Sequence, residues 1–174
     1  MAKGWKIFWI ILIVLVIIGI AFGIMQYYKW KAIWEKITFS KPIPTALDLK
    51  GLTLADLVNI GFGGGDRNIQ TTLKMLITND SDTEITFNHF RIVLSYNGQI
   101  ITQTTDTLYN TTYILPTNGV LPVEDTVNIS LNRAGAFLKE KLIGGFPIVG
   151  YKVDLSVYGI PIGKIYPIEG SFEW

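Results

Sequence analysis

Few side chains in this sequence have the type and spacing that chemistry requires. There is one histidine, His89, and there is no cysteine. A lone imidazole, with no thiolate or carboxylate pair beside it, builds neither a nucleophile–base pair nor a closed metal site. Acidic residues cluster only at Glu124-Asp125 and at Asp80, Asp82 and Glu84. The second spacing offers carboxylate oxygens to a hard cation. It lacks the glycine and distal glutamate of a calcium-binding helix-loop-helix, so it reads as a solvated loop. The glycine cluster from Gly61 to Asp66 is not followed by Gly-Lys-Ser/Thr, and a strand pattern comes after it, so it reads as a loop and not a phosphate cradle. No serine sits in Gly-x-Ser-x-Gly. These observations predict no catalytic residue, no cofactor and no bound metal. The missing cysteines also exclude disulfide staples and thiol lipidation. A net charge of +1 gives no basic field for nucleic acid.

The elements that would position any site fall into two parts. Between Lys6 and Lys29 there is no charged residue, and Ile10 to Ile18 is an unbroken aliphatic block. As a helix this stretch spans roughly 30 Å, the thickness of a bilayer's hydrocarbon core. It is apolar on every face, unlike a core helix, and longer than a signal peptide's apolar core. The predicted anchor residues are Trp5, Trp9, Ile10, Leu12, Leu15, Ile18, Gly19, Gly23, Tyr27, Tyr28 and Trp30. The Trp and Tyr rings suit headgroup depth, and the spacing of Gly19 and Gly23 suits close helix approach and self-association. Lysines are more numerous on the C-terminal flank, which favours that side inside a cell, although a folded domain can translocate regardless of charge. Residues 1–30 are therefore expected to be a single transmembrane helix and residues 31–45 a connector stiffened by Pro42 and Pro44.

Residues 46–174 carry β-patterning. Ala46 to Leu52 alternates as a first strand, and Thr53 to Asn59 is a short ambiguous segment in which Thr53 is able to cap a helical turn with Asp56. From Ile69 to Asn79, Leu73, Met75 and Ile77 share one face. After a turn at Asn79-Asp80-Ser81-Asp82, Ile85 and Phe87 lie on odd positions, whereas Phe90, Ile92, Leu94 and Tyr96 lie on even ones. A bulge at Asn88-His89 would produce that phase change. Asn97-Gly98 is a hairpin signal, with return strand Gln99 to Thr105. Strands follow at Thr111 to Leu115 and around Val127 and Ile129. Ala134 to Leu142 reads as a helix capped by Asn132 and stopped by Gly144-Gly145. The last hairpin pairs Tyr151 to Val157 with Gly163 to Trp174. Val153, Leu155 and Val157 should face inward, and Lys152, Asp154 and Ser156 outward.

The Asn79-Asp80-Ser81 turn, Tyr96-Asn97-Gly98, Val127 to Leu131, Tyr151 to Ile162 and Pro167 to Phe172 together resemble the group-2 late embryogenesis abundant proteins, also called the water-stress and hypersensitive-response domain. The likeness covers about residues 45–174, without the proline the family usually shows inside its early Asn-Pro-Asn. The resemblance implies an all-β, immunoglobulin- or fibronectin-like β-sandwich of about seven to eight strands with one short crossover helix, no catalytic residues, and a stress-protective role behind a membrane anchor. The expected function is a non-enzymatic, membrane-anchored structural or interaction protein. Two alternatives stand beside it: a minor membrane protein of a virion or other lipid-containing assembly, and a stress-protection envelope protein that binds an apolar ligand or lipid. The expected partners are the bilayer and protein neighbours in a membrane assembly. Ile160, Pro161 and Ile162 are the expected contact patch.

Overall fold

A computed structural model describes residues 2–48, 53–61, 67–158 and 162–174. The chain divides into two compact units, Met1–Ile37 and Thr38–Trp174. The first is one helix, α1 (Ala2–Trp34). Its long aliphatic run supplies no breaker, and Lys31 and Glu35 pair across its last turn at 3.8 Å.

The second unit is a β-sandwich of two antiparallel sheets. The first sheet is built on β3 (Asn68–Asn79), which pairs with β7 (Gly119–Ser130) along all of its length. Two short strands, β1 (Ile37–Phe39) and β2 (Ile43–Pro44), also border β3. The second sheet is built on β4 (Ile85–Tyr96). It is flanked by β5 (Gln99–Gln103) and β6 (Tyr113–Leu115) on one side and by β8 (Ile148–Val157) on the other, with β9 (Ile168–Glu173) beyond β8. Alternation builds the core. Ile69, Leu73, Met75 and Ile77 of β3 and Val127 and Ile129 of β7 meet Phe87, Phe90, Ile92 and Leu94 of β4 and Val153 of β8, all buried.

The phase change in β4 has the expected cause. Asn88 pairs with Ser156 and Arg91 with Asp154, so His89 and Phe90 together oppose Leu155. His89 takes up the extra residue at φ 54°, and Phe90 turns fully inward. Asn97 (φ 50°) and Gly98 (φ 78°) form the left-handed pair that a primed hairpin turn requires. Between the sheets, helix α4 (Leu131–Leu142) is the crossover from β7 to β8 and buries Leu131, Phe137 and Leu138. It ends as its glycines demand: Gly144 sits at φ 84°, its amide bonds Lys141 O, and the Gly145 amide bonds Glu140 O.

Several expectations are corrected. The predicted first strand is not formed at Ala46 and Leu47. Pairing with β3 comes earlier, at Ile43-Pro44, and again through a single bridge between Asp48 and Gln70, while residues 49–52 lie outside the described residues. Pro44 fits an edge strand because an edge position needs no second ladder donor. Helix α4 begins at Leu131 with Ser130 in the capping position, not Asn132. Two helices were not foreseen: α3 (Asp106–Asn110), capped by the Thr105 hydroxyl, and α5 (Ile162–Ile165), which occupies part of the expected closing strand. The ambiguous segment is a helix, α2 (Leu54–Gly61), closed by a reciprocal box. The Asp56 amide donates to Thr53 Oγ1 at 3.2 Å, and the Thr53 amide donates to Asp56 Oδ2 at 2.8 Å. Ser156, expected on the outer face, is buried where β8 meets the bulge. Of the glycine cluster, residues 62–66 lie outside the described residues.

Candidate functional site

Helix α1 is the first candidate. From Ile7 to Trp34 it is long and apolar enough to cross a membrane, and none of its apolar window is buried. Trp5 and Trp9 are exposed near one end and pack edge to face, and Tyr27 and Tyr28 do the same towards the other. Ile10, Leu12, Leu15, Ile18 and Trp30 are exposed along the same helix. A Cβ placed on Gly19 or Gly23 meets nothing within 4 Å, so that face is open. Each exposed aliphatic side chain on this helix forgoes about 1.5–3 kcal/mol of burial.

On the sandwich, the polar side chains with defined partners are structural. Asn79 is fully buried and donates Nδ2 to Thr83 O (2.8 Å) and to Pro116 O (2.9 Å). Its Oδ1 accepts from the Ser81 amide (3.0 Å) and the Ser81 hydroxyl (2.6 Å). One amide thus ties the β3–β4 turn to the β6–β7 turn. Both of its donor hydrogens are spent on these carbonyls. Asp80, Asp82 and Glu84 point to solvent around it. Asp125 accepts from the Thr105 amide at 2.6 Å and hydroxyl at 3.1 Å, and Thr102 Oγ1 donates to Asn128 O at 2.8 Å. These bonds close the seam between β5 and β7. The Thr53 hydroxyl and amide, with Arg67 beside them, hold the Asp56 carboxyl below its usual range. A hydrogen bond to Glu140 pushes the Tyr96 hydroxyl above its usual value, and burial raises Tyr113.

The lone histidine lies on the outer face of the second sheet, in a cleft of about 330 Å³. Its ring is 4.9 Å from that of Tyr109, which also carries the Arg91 guanidinium at 4.3 Å. Arg91 faces Asp106 at 3.6 Å, and Lys152 faces Asp154 at 3.6 Å, so the cations there are already balanced. Among the described residues no group of three or more His, Asp or Glu is placed to hold a metal ion. Among the described residues of this cleft no nucleophile is paired with a base.

Of the expected contact patch, Ile160 and Pro161 lie outside the described residues, and Ile162 opens α5 half-buried. The exposed apolar side chains that periodicity missed lie at the opposite pole. Leu142, Ile143, Phe146 and Ile148 are exposed, Ile143 by 79% and Phe146 by 71%. They adjoin a groove of about 710 Å³ lined by Ile43, Pro44, Leu47, Leu142 and Trp174 among others. The local signal was present: Ile143-Gly144-Gly145-Phe146 places large apolar residues around a helix stop, where no alternation carries them inward.

No family model and no curated protein matches the chain. Solved structures similar to it include a protein from Archaeoglobus fulgidus, 9% identical, covering 79% of this chain and 93% of that one with a TM-score of 0.42. A FixG-related protein from Vibrio parahaemolyticus is 10% identical over 80% of this chain and 94% of that one, with a TM-score of 0.37. A protein described as late embryogenesis abundant, solved in solution, is 15% identical over 79% of this chain and 69% of that one, with a TM-score of 0.36.

Proposed function

We propose that this chain is a single-pass membrane protein whose N-terminal helix anchors a non-enzymatic β-sandwich, and that the sandwich is a structural or interaction module at the bilayer surface. The observation that carries this reading is the apolar helix from Ile7 to Trp34, none of whose apolar window is buried. The side chains of its apolar window are exposed, and a bilayer would remove them from water with every backbone group satisfied inside the helix. The aromatic pairs near its ends are the amphipathic rings expected at headgroup depth, and Gly19 and Gly23 offer a face for helix pairing. The sandwich contributes surfaces: its polar side chains with defined partners are committed to turns, caps and seams. The test is alkaline carbonate extraction of membranes carrying the full chain, beside a chain that begins at Thr38. The full chain stays in the pellet and the shortened chain is released. Release of the full chain sinks the anchor.

A further inference from the structure

We propose that the basic segment at the C-terminal end of α1, formed by Lys29, Lys31 and Lys36, binds the anionic headgroups of the lipid leaflet in which that end lies. The inference rests on the anchored reading above and adds a lipid class to it. A bilayer of any composition satisfies the apolar run, whereas these lysines call for negative charge.

The charge of the segment is one-sided. Between Lys29 and Asp48, Lys29, Lys31, Lys36 and Lys41 stand against a single acid, Glu35. Glu35 pairs with Lys31 at 3.8 Å, and both side chains are largely exposed, so the pair is weak and Lys31 is readily released from it. Lys29 and Lys36 are exposed and take part in no ion pair among the described residues. Juxtamembrane lysines in such a cluster are attracted to an anionic leaflet.

Helix geometry puts that charge at headgroup depth. The uncharged run ends at Tyr28, and α1 continues to Trp34. The Glu35 amide bonds Lys31 O and the Lys36 amide bonds Ile33 O, both at 3.0 Å, so the coil carries on through Lys36. Lys29 and Lys31 lie about 1.5 and 4.5 Å beyond Tyr28 along the axis, inside the roughly 5–7 Å that headgroups occupy on each side of the hydrocarbon. Their Cα–Cβ bonds tilt toward the helix N-terminus, which at this end means back toward the bilayer. Lysine stems then follow apolar surface and leave the ammonium among the phosphates. Trp30, 40% exposed, supplies an interfacial ring between the two. At the opposite end of a membrane helix the same tilt leads away from the hydrocarbon, so equal charge there reaches farther into water. An acidic protein segment would also match the charge. Lipid is favoured because the apolar run and the lysines are consecutive on one helix, and insertion of the first brings the second against the headgroups.

The full chain is reconstituted in phosphatidylcholine vesicles. Association of spin-labelled phosphatidylglycerol is compared with that of spin-labelled phosphatidylcholine through the motionally restricted part of the electron spin resonance spectrum. Label in both leaflets samples the flank in either orientation. The proposal expects phosphatidylglycerol to be preferred by at least about threefold at low salt, and hardly at all at about 1 M salt, where the screening length is about 3 Å. Lys29→Gln with Lys36→Gln should remove most of the preference, and Lys29→Arg with Lys36→Arg should keep it. Lys3→Gln with Lys6→Gln, which removes equal charge from the other flank, should keep most of it. Equal loss from the two glutamine pairs overturns the proposal. So does an absence of preference in the full chain, which leaves the lysines to an acidic protein partner. Alkaline extraction of the same vesicles separates this outcome from failure of the anchor. A chain that stays with the lipid but shows no preference sinks the lipid class alone, and a chain released by alkali sinks the anchored reading together with it.

Discussion

Asn79→Ala is the perturbation whose cost follows most directly from the structure. The side chain makes four hydrogen bonds from a fully buried position. Truncation does not orphan all of its partners. Thr83 O still accepts from Ser81 Oγ at 3.2 Å, and Pro116 is exposed, so its carbonyl gains water. The Ser81 amide, in a residue 1% exposed, is left without an acceptor. An unsatisfied buried donor costs about 1–3 kcal/mol, and each lost neutral bond adds about 0.5–1.5 kcal/mol. The expected loss is about 2–4 kcal/mol after the solvated carbonyl is discounted. Ser81→Ala removes one hydroxyl bonded at both ends and should cost about 1–2 kcal/mol. The two share a bond, so the double variant should fall short of the sum by about 1 kcal/mol. The assay is urea unfolding of the full chain in detergent micelles, followed by near-ultraviolet circular dichroism. A loss below about 1 kcal/mol for Asn79→Ala, or strict additivity with Ser81→Ala, would refute the claim that this amide ties the two turns together.

Leu155→Ala should cost about 2–5 kcal/mol in the same assay, since the side chain is buried opposite the bulge. Asp154→Ala, on the other face, should move stability by less than about 0.5 kcal/mol. Gly98→Val should lower the unfolding free energy by about 1–2 kcal/mol, because a β-branched residue resists the φ of 78° held there; an unchanged denaturation midpoint removes the primed-turn argument. Thr53→Ala should weaken amide-exchange protection in α2 by about 1 kcal/mol through loss of the cap. The Asp56 carboxyl is held below its usual value, so its contribution is present above the ordinary carboxylate range and is lost as pH falls through the lower folded value. Protection of α2 should therefore drop on acidification below about pH 4, and Asp56→Asn should flatten that dependence.

What the sequence made legible was whatever period and turn chemistry control locally. The alternation of β3, the bulge at Asn88-His89, the Asn97-Gly98 turn and the glycine stop of α4 all follow from neighbours within a few residues. What it hid depends on distant partners. Asn79 reads as a turn residue, and only the approach of Pro116 makes it a buried tie. Helix α3 rests on Thr105 being fixed by Asp125 from another sheet, a bond between residues far apart in the chain. Ser156 alternates outward by pattern but is covered at the bulge. The apolar pole is hidden for a related reason: Ile143 and Phe146 flank the Gly144-Gly145 stop, where no local period tells whether the fold covers them. The long apolar helix is legible without any partner, since its length and uniform apolarity are local properties of the sequence.

The central claim is a spanning helix joined to an independently folded sandwich. It is tested most directly by cutting the chain between Lys36 and Ser40, at an inserted protease site, in intact proteoliposomes. The account predicts that a fragment from about residue 38 to Trp174 leaves the membrane, stays soluble and melts cooperatively, while the helix remains in the bilayer. A fragment that stays with the lipid, or is released unfolded, would contradict it.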